Sequence, residues 1–501
     1  MKKPLVIALF MGFTVTSFAQ EFLDLKRYSV TRQGGTARSM GMGGAIGATG
    51  IDFSVSSVNP SGLAQIRTSQ AMGTIGLNFT NNNANYIDKD VKDNRFNFSI
   101  PNMGVVFSTI MTTLGKDRTT GLVNHSFAFG FNRTNDFNRN LTVDANNNNS
   151  SYLDYLAEQA NKYVNWNDIT ANGLSPYYPE ELALAANAIV HTSNNTFQAN
   201  LPSNVNMRQN YRVQHTGRQT DWNVSWAGNF SHVVYVGAGI GIPAIRFNST
   251  QTIIEKAQDG NSQSFEHTKK FNTSGTGING KLGITVRMND WFRAGVAYHT
   301  PTAYSLNDQY SYSFLSRNFT NGNFVYTSGE NLQTDPAEFN YKFTTPGKTV
   351  LSAAMLYKKL GMISVDYELV NYLEAQSSTQ DLTFMNSLVR ENLRATNNIR
   401  IGAEYNYLDY KFRAGYAAYA SPFKRSILSA LTEGDLSLRV YSIGAGYQEA
   451  NNPVFFDVAV VYERYDDFYT PYILSESTRP YYTSFNKVSS TRILFTVGTK
   501  F

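Results

Sequence analysis

The 501-residue sequence has no cysteine, only six histidines and few charges. The absence of cysteine excludes disulfide scaffolds, thiolate zinc sites, iron–sulfur clusters and thiol catalysis. The histidines are scattered, so neither a metal nor a cofactor is expected. Charged residues make up 16%, against about 25% in an average soluble protein. The formal net charge of +5 is small for this length and gives no reason to expect a nucleic-acid partner. Long apolar runs are also missing: mean hydropathy is −0.32, and nothing beyond the N-terminus approaches the roughly 20 apolar residues of a membrane helix. What the chain does have is 31 Tyr, 33 Phe, 4 Trp and 37 Gly. That aromatic content argues against disorder.

The N-terminus reads as an export signal. Lys2 and Lys3 precede an apolar stretch from Leu5 to Val15, and Ser17-Phe18-Ala19 supplies a small-x-small cleavage site. Residues 1–19 are therefore expected to be removed, which lowers the formal charge from +5 to +3. The stretch is too short for a membrane anchor. No cysteine follows it, so a lipoprotein is not expected.

An exported chain of this kind is either soluble or a transmembrane β-barrel, whose strands escape hydropathy because alternate residues face lipid. The C-terminal two-thirds alternate in that way. Ile493, Phe495, Val497 and Phe501 share one face of the last segment, with Arg492, Thr496, Gly498 and Lys500 on the other. Phe127, Phe129 and Phe131 alternate with Ser126, Gly130 and Asn132; Ile399, Ile401, Ala403 and Tyr405 with Arg400, Gly402 and Glu404. Phe412, Ala414 and Tyr416 alternate with Lys411, Arg413 and Gly415; Phe456, Val458, Val460 and Tyr462 with Asp457, Ala459 and Glu463. A soluble sandwich also alternates, but it would have to bury these Arg and Glu side chains in its core. A barrel lumen accepts them.

The connections alternate between tight turns (Ser231-His232, Asn289-Asp290, 358–361, Leu408-Asp409, 448–453) and longer polar stretches (81–93, 258–264, 317–337, 375–396, 424–435, 467–484). Short periplasmic turns and long external loops produce that asymmetry. The scheme predicts an all-β, transmembrane antiparallel barrel of about 14 strands across residues 70–501, with both ends of the barrel on the periplasmic side.

Two segments fall outside the strand pattern. Residues 20–69 hold a small-residue run, Gly34 to Ala48, followed by Asn59-Pro60-Ser61-Gly62-Leu63. A dinucleotide loop would need a preceding strand and a different spacing; a compact segment packed in a narrow lumen suits the composition. The second segment, 141–205, is expected to be a long extracellular loop. Leu153, Leu156, Ala157, Ala160 and Val164 recur at helical spacing. Pro179-Glu180-Glu181 reads as a helix start, with Leu182 to Val190, including Leu184, following it. These apolar faces either cap the barrel or form an external capture surface.

The segment ending in Asn59-Pro60-Ser61-Gly62 resembles the N-terminal hatch of the FadL-type outer-membrane transporters of long-chain fatty acids and other hydrophobic compounds. The family form is Asn-Pro-Ala then Gly, so Ser61 departs by one small residue. Gly275 to Gly280 with Asn289 to Pro301 resembles the family's central hairpin, and Ile401 to Tyr405 with Phe412 to Tyr416 and Ser421-Pro422 a later one. The resemblance implies a fourteen-stranded barrel in the outer membrane of a Gram-negative bacterium. It also implies a lumen hatch that includes Gly41, Gly43, Gly44, Asn59, Pro60, Ser61 and Gly62. Its partners would be a hydrophobic small-molecule ligand and outer-membrane lipid, and a monomer is expected. The family's route runs from external capture to a lumen site against the hatch, then sideways through the wall, passively and without enzyme chemistry.

A sideways route needs a broken strand ladder. Pro101 lacks an N–H, so a bulge over Pro101, Asn102 and Gly104 is the candidate opening; the alternative is a bulge that only shapes the barrel. The predicted lumen carries Asp366, Glu368, Glu404, Asp457 and Glu463 beside Arg400, Lys411, Arg413 and Arg492. Mixed signs on neighbouring strands favour a structural ion-pair network. The sharper reading is that Arg400 or Arg413 takes a ligand carboxylate. Rival functions are a general porin for polar solutes, a barrel hydrolase and a surface adhesin. No Gly-x-Ser-x-Gly or His-Glu-x-x-His motif supports the hydrolase, and the chain is short for a 22-stranded, TonB-dependent receptor.

Overall fold

The computed structural model describes residues 27–501 apart from 168, 170–177, 193–195, 202–205, 259–263, 321–322, 328–331, 425–435 and 476–481. The expected leader, 1–19, lies outside the described residues. Fourteen antiparallel strands close into a barrel. They are β1 (Gln70–Tyr86), β2 (Lys89–Ile110), β3 (Leu122–Asp136, continued by Arg139–Asn147), β4 (Met207–Phe230), β5 (Val234–Ala257), β6 (Ser264–Arg287) and β7 (Phe292–His299 with Ala303–Thr320). The second half comprises β8 (Ala337–Thr344 with Lys348–Tyr357), β9 (Gly361–Asn371), β10 (Ala395–Tyr407), β11 (Tyr410–Tyr419), β12 (Leu438–Tyr447), β13 (Val454–Tyr469) and β14 (Ser484–Lys500). Closure is made by β1 on β14, from Gln70↔Lys500 to Asn85↔Phe485.

The two-residue period sets the two faces. On β5, Val234, Val236, Ala238, Ile240, Ile242 and Ala244 point outward before the series turns polar at Arg246. Eleven residues of strand, from Val234 to Ala244, match the roughly 10 needed to cross the hydrocarbon. Trp222, Val224, Trp226 and Phe230 on β4 and Ile278, Leu282 and Ile284 on β6 continue the band, all exposed. The alternation read from the sequence is thus an apolar outer belt and a polar lumen.

Three departures from simple strands have local causes. The stretch 81–93, expected as a loop, continues the β1–β2 ladder to Tyr86↔Lys89. It turns over Ile87 and Asp88, both at positive φ, in the manner of a two-residue hairpin turn. The other two fall at prolines: β7 breaks around Pro301 and β8 around Pro346, where the missing N–H interrupts each ladder. Loop residues Thr302 and Thr345 bond each other across these breaks.

In the long outer connection, helix α2 (Tyr152–Tyr163) starts with a capping box of Ser151 and Asp154. Helix α3 (Pro179–Ala185) carries Pro at its first turn. It ends sooner than the apolar run does, because Ile189–His191 pairs as a strand with Phe197–Ala199.

Candidate functional site

The N-terminal segment lies inside the barrel. Helix α1 (Ala37–Gly41) is capped by Thr36, and two 3₁₀ turns follow, Phe53–Ser57 capped by Asp52 and Pro60–Gln65 capped by Asn59. Nearly every residue from Gly34 to Ala64 is buried. Gly43 and Gly44 adopt left-handed φ of 64° and 74°, which a side chain resists. A Cβ on Gly43 would stand 2.9 Å from the Tyr416 amide. Gly41 sits against Gly444 of the wall, and Gly62 faces Val55 and the Thr49 carbonyl.

Asn59 ties the segment to itself and to the wall. Its amide donates to the Gly47 carbonyl (2.8 Å) and to Thr285 Oγ1 (3.2 Å), and its Oδ1 accepts from the Ser61 amide and hydroxyl. Pro60 occupies the first turn. Ser61 Oγ lies 2.7 Å from Thr285 Oγ1 on β6, so the hydroxyl that departs from the family pattern adds a wall contact an alanine could not make. Glycine at 283 leaves room for Asn59, whose Oδ1 would stand 2.0 Å from a Cβ there.

Three buried ion clusters hold the segment. Arg38 grips both oxygens of Glu404 at 2.7 and 2.9 Å; Arg413 bonds Glu404 and Asp457 at 2.7 and 2.6 Å. Arg400 bonds Glu368 (3.1 Å) and lies 3.6 Å from Asp366, whose carboxylate accepts the Ile46 and Gly47 amides at 3.1 Å. Arg32 joins Glu463 at 3.0 Å, and Arg492 bonds the other oxygen of that carboxylate. Arg400 and Arg413 are thus engaged with carboxylates and buried, at 2% and 5% exposed. Burial pushes the Asp52 carboxyl above its ordinary value, opposed by hydrogen bonds from Thr36 and Ser54. At the end of the barrel where the short turns lie, Lys411 and Lys500 line a cavity of about 180 Å³ with Arg38, Asp52 and Asp457.

The wall is broken on one side. Thr74 pairs with Asn102 but Gly76 with Ser99, so Ile100 and Pro101 bulge opposite Ile75. The β2–β3 ladder runs only from Asn102↔Asn132 to Ile110↔Asn124. Beyond Asn102, residues 89–101 of β2 pair with no strand on that side among the described residues. The outer piece of β3 pairs with β4 instead, and side chains tie both it and the end of the inner piece to the β1–β2 hairpin. Asp136 accepts from Asn78 (3.2 Å) and Asn97 (3.4 Å), Asn82 donates to the Asn140 carbonyl (2.9 Å), and Arg95 bonds Asn140 (2.8 Å). Below the break, Asn102 bonds Asn132, which bonds Ser57, and the Phe53 ring covers Gly104.

Above the segment the lumen holds an apolar cluster, with Arg27 and His215 against its Phe247 ring. Tyr28, Phe137, Ile245, Phe247, Tyr304 and Phe343 belong to one buried cluster. Phe137 sits between the two pieces of β3, beside the break. Its ring meets Phe247 edge-on at 5.4 Å and Tyr28 at 6.4 Å. A second cluster lies outward. Leu153, Leu156 and Leu182 are buried there, whereas Val164 and Leu184 are half-buried at its edge. Three of the five residues read as a capture surface therefore face protein rather than solvent. The sequence reading singled out Asn102 but missed Tyr28, Phe137, Arg38 and the other asparagines beside the break; the residues they meet lie far away in the chain.

No family model and no curated protein matches the sequence. Solved structures do match. The P. putida toluene transporter TodX superposes with a TM-score of 0.51 at 12% identity, over 94% of this chain and 99% of that one. A Pseudomonas aeruginosa FadL homologue gives 0.54 at 11% identity, over 94% and 98%. The barrel, closed by fourteen strands, has the FadL-type fold.

Proposed function

We propose that the chain carries hydrophobic compounds passively across the outer membrane, through a lumen sealed by its N-terminal hatch and out through the side of the barrel. The observation that carries this reading is the juxtaposition at Phe137. An apolar lumen cluster ends where the β2–β3 ladder is missing. A lipophile gains nothing from an aqueous pore and needs apolar contact along its path. The neighbour described as a toluene transporter supports a small lipophile as cargo; a long-chain fatty acid fits the same chemistry. The half-buried Val164 and Leu184 form the outer edge where cargo is captured, while Leu153, Leu156 and Leu182 hold the loop in place.

Tyr28 occupies the apolar cluster in the resting protein, and entry of cargo displaces it. Release follows through the gap above Asn102, with the bulge at Ile100 and Pro101 at its edge and the regular pairing of Asn102 and Gly104, which the sequence reading places within the bulge, as its floor. Arg400 and Arg413 hold the hatch rather than the cargo. Uptake of labelled toluene and of a labelled fatty acid by cells lacking and expressing the protein tests the reading. Uptake of a small polar sugar instead would favour a porin.

A further inference from the structure

Just above the apolar belt, four arginines stand in two like-charged pairs. Arg218 on β4 lies directly opposite Arg246 on β5, and Arg439 on β12 directly opposite Arg464 on β13. All four are exposed and point outward by strand alternation. In-register neighbours have Cβ atoms about 5 Å apart, where like charges destabilise a sheet. Among the described residues no carboxylate relieves either pair. Asp136 stands opposite Arg218 but accepts from Arg133, Asn78 and Asn138. Asp466, on the same face as Arg464, stands opposite Lys487.

Their height is specific. Arg246 is the first outward residue after Ala244, the last of the apolar series on its strand. Trp222, four residues below Arg218, is exposed in the belt. Arg439 and Arg464 sit immediately above the in-register, exposed pair Tyr441 and Tyr462. Aromatic rings at that level mark the membrane interface. The side is the extracellular one, because the short turns lie at the other end of these strands.

We infer that each arginine pair is a binding site for a phosphate group of an outer-leaflet lipid, a phosphorylated glycolipid of the lipid A class. Two guanidinium forks from adjacent strands can bracket one phosphate, which neutralises the repulsion and suits arginine's planar donors. The acyl chains of that lipid would lie on the belt below. The inference rests on the outer-membrane reading above but not on the nature of the cargo.

The test uses the full-length barrel in a nonionic detergent. Lipid A, its dephosphorylated form and inorganic phosphate are added separately, and native mass spectra and thermal unfolding are recorded. The expected result is lipid A adducts and a higher melting temperature, with neither produced by the other two additives. The double variant Arg246→Gln with Arg464→Gln should bind lipid A about tenfold more weakly, the loss of roughly one charge-assisted bond. Without lipid it should melt no lower than the unsubstituted protein, because a repulsion has been removed. Arg246→Lys with Arg464→Lys keeps the charge but loses the fork, and should fall between. Equal adducts on wild type and the glutamine variant, or on the dephosphorylated lipid, overturn the inference; a shift from inorganic phosphate alone overturns the lipid assignment. Heat-modifiable gel migration of the same samples reports barrel folding, and uptake assays report transport. Failure here is thereby distinguished from failure of the functional reading.

Discussion

Arg38 of the N-terminal segment and Glu404 of the wall form a two-pronged ion pair, 2.7 and 2.9 Å, with the carboxylate almost wholly buried. Arg413 still bonds Glu404 when Arg38 is removed, so the loss is that of charge-assisted bonds between segment and wall, about 1.5–3 kcal/mol. Arg38→Ala should therefore loosen the hatch while the barrel, closed by its ladders, stays folded. Single-channel recording in a planar bilayer checks this: the variant is expected to show open-channel events that the unsubstituted protein lacks.

Ser61 offers a smaller and cleaner test. Its hydroxyl meets Thr285 at 2.7 Å and also donates to Asn59. Ser61→Ala should weaken hatch docking by about 1 kcal/mol, the net worth of a buried hydrogen bond. Asn59→Ala removes the cap of the following turn and the bond to the Gly47 carbonyl, and should cost more, about 2 kcal/mol. Amide hydrogen exchange over residues 53–65 would rank the two; equal protection in both would count against the account.

Pro101 is expected to matter through the ladder rather than through contact with cargo. Pro101→Ala restores an N–H and lets the bulge relax toward a regular strand. Uptake of the labelled lipophile should fall several-fold at unchanged surface expression. Undiminished uptake would leave the bulge a shaping feature only.

Phe137 and Phe247 separate path from fold. Both rings lie in the lumen cluster. Phe247→Ala should cost about 3–5 kcal/mol in packing and lower the affinity for a fluorescent lipophile. Phe137→Ser places a hydroxyl at the threshold of the gap and should slow transport more than binding. Parallel binding and uptake measurements distinguish the two.

Much of this was legible in the sequence because the period of two is imposed wherever one face meets lipid. The alternation around Phe127, Ile401, Phe456 and Phe495 gave the strands, and Arg400, Glu404, Arg413 and Asp457 fell on the lumen face from spacing alone. The β1–β2 extension was not legible, since Asn81 to Asp93 lie above the belt with water available and no hydropathy contrast to read. Nor was the division of β3 at Phe137, because the alternative partners of its outer piece, Asn78, Asn82 and Arg95, lie some 40 to 60 residues away in the chain. The ion network could be anticipated as a network, yet its target, the backbone of Ile46 and Gly47 and the side chain of Arg38, depends on how the segment coils inside the barrel.

The sideways exit is the central claim, and the absence of native cysteine makes it directly testable. Asn97 and Asp136 face each other across the gap with a 3.4 Å hydrogen bond between their side chains. Asn97→Cys and Asp136→Cys introduced together can be bridged by a short, reducible thiol cross-linker in whole cells. Uptake of the labelled lipophile is then followed before bridging, after it, and after reduction. The account predicts that bridging abolishes most uptake and that reduction restores it, with neither single-cysteine variant affected by the reagent. Full uptake through a bridged barrel would contradict lateral release and place the route through the hatch.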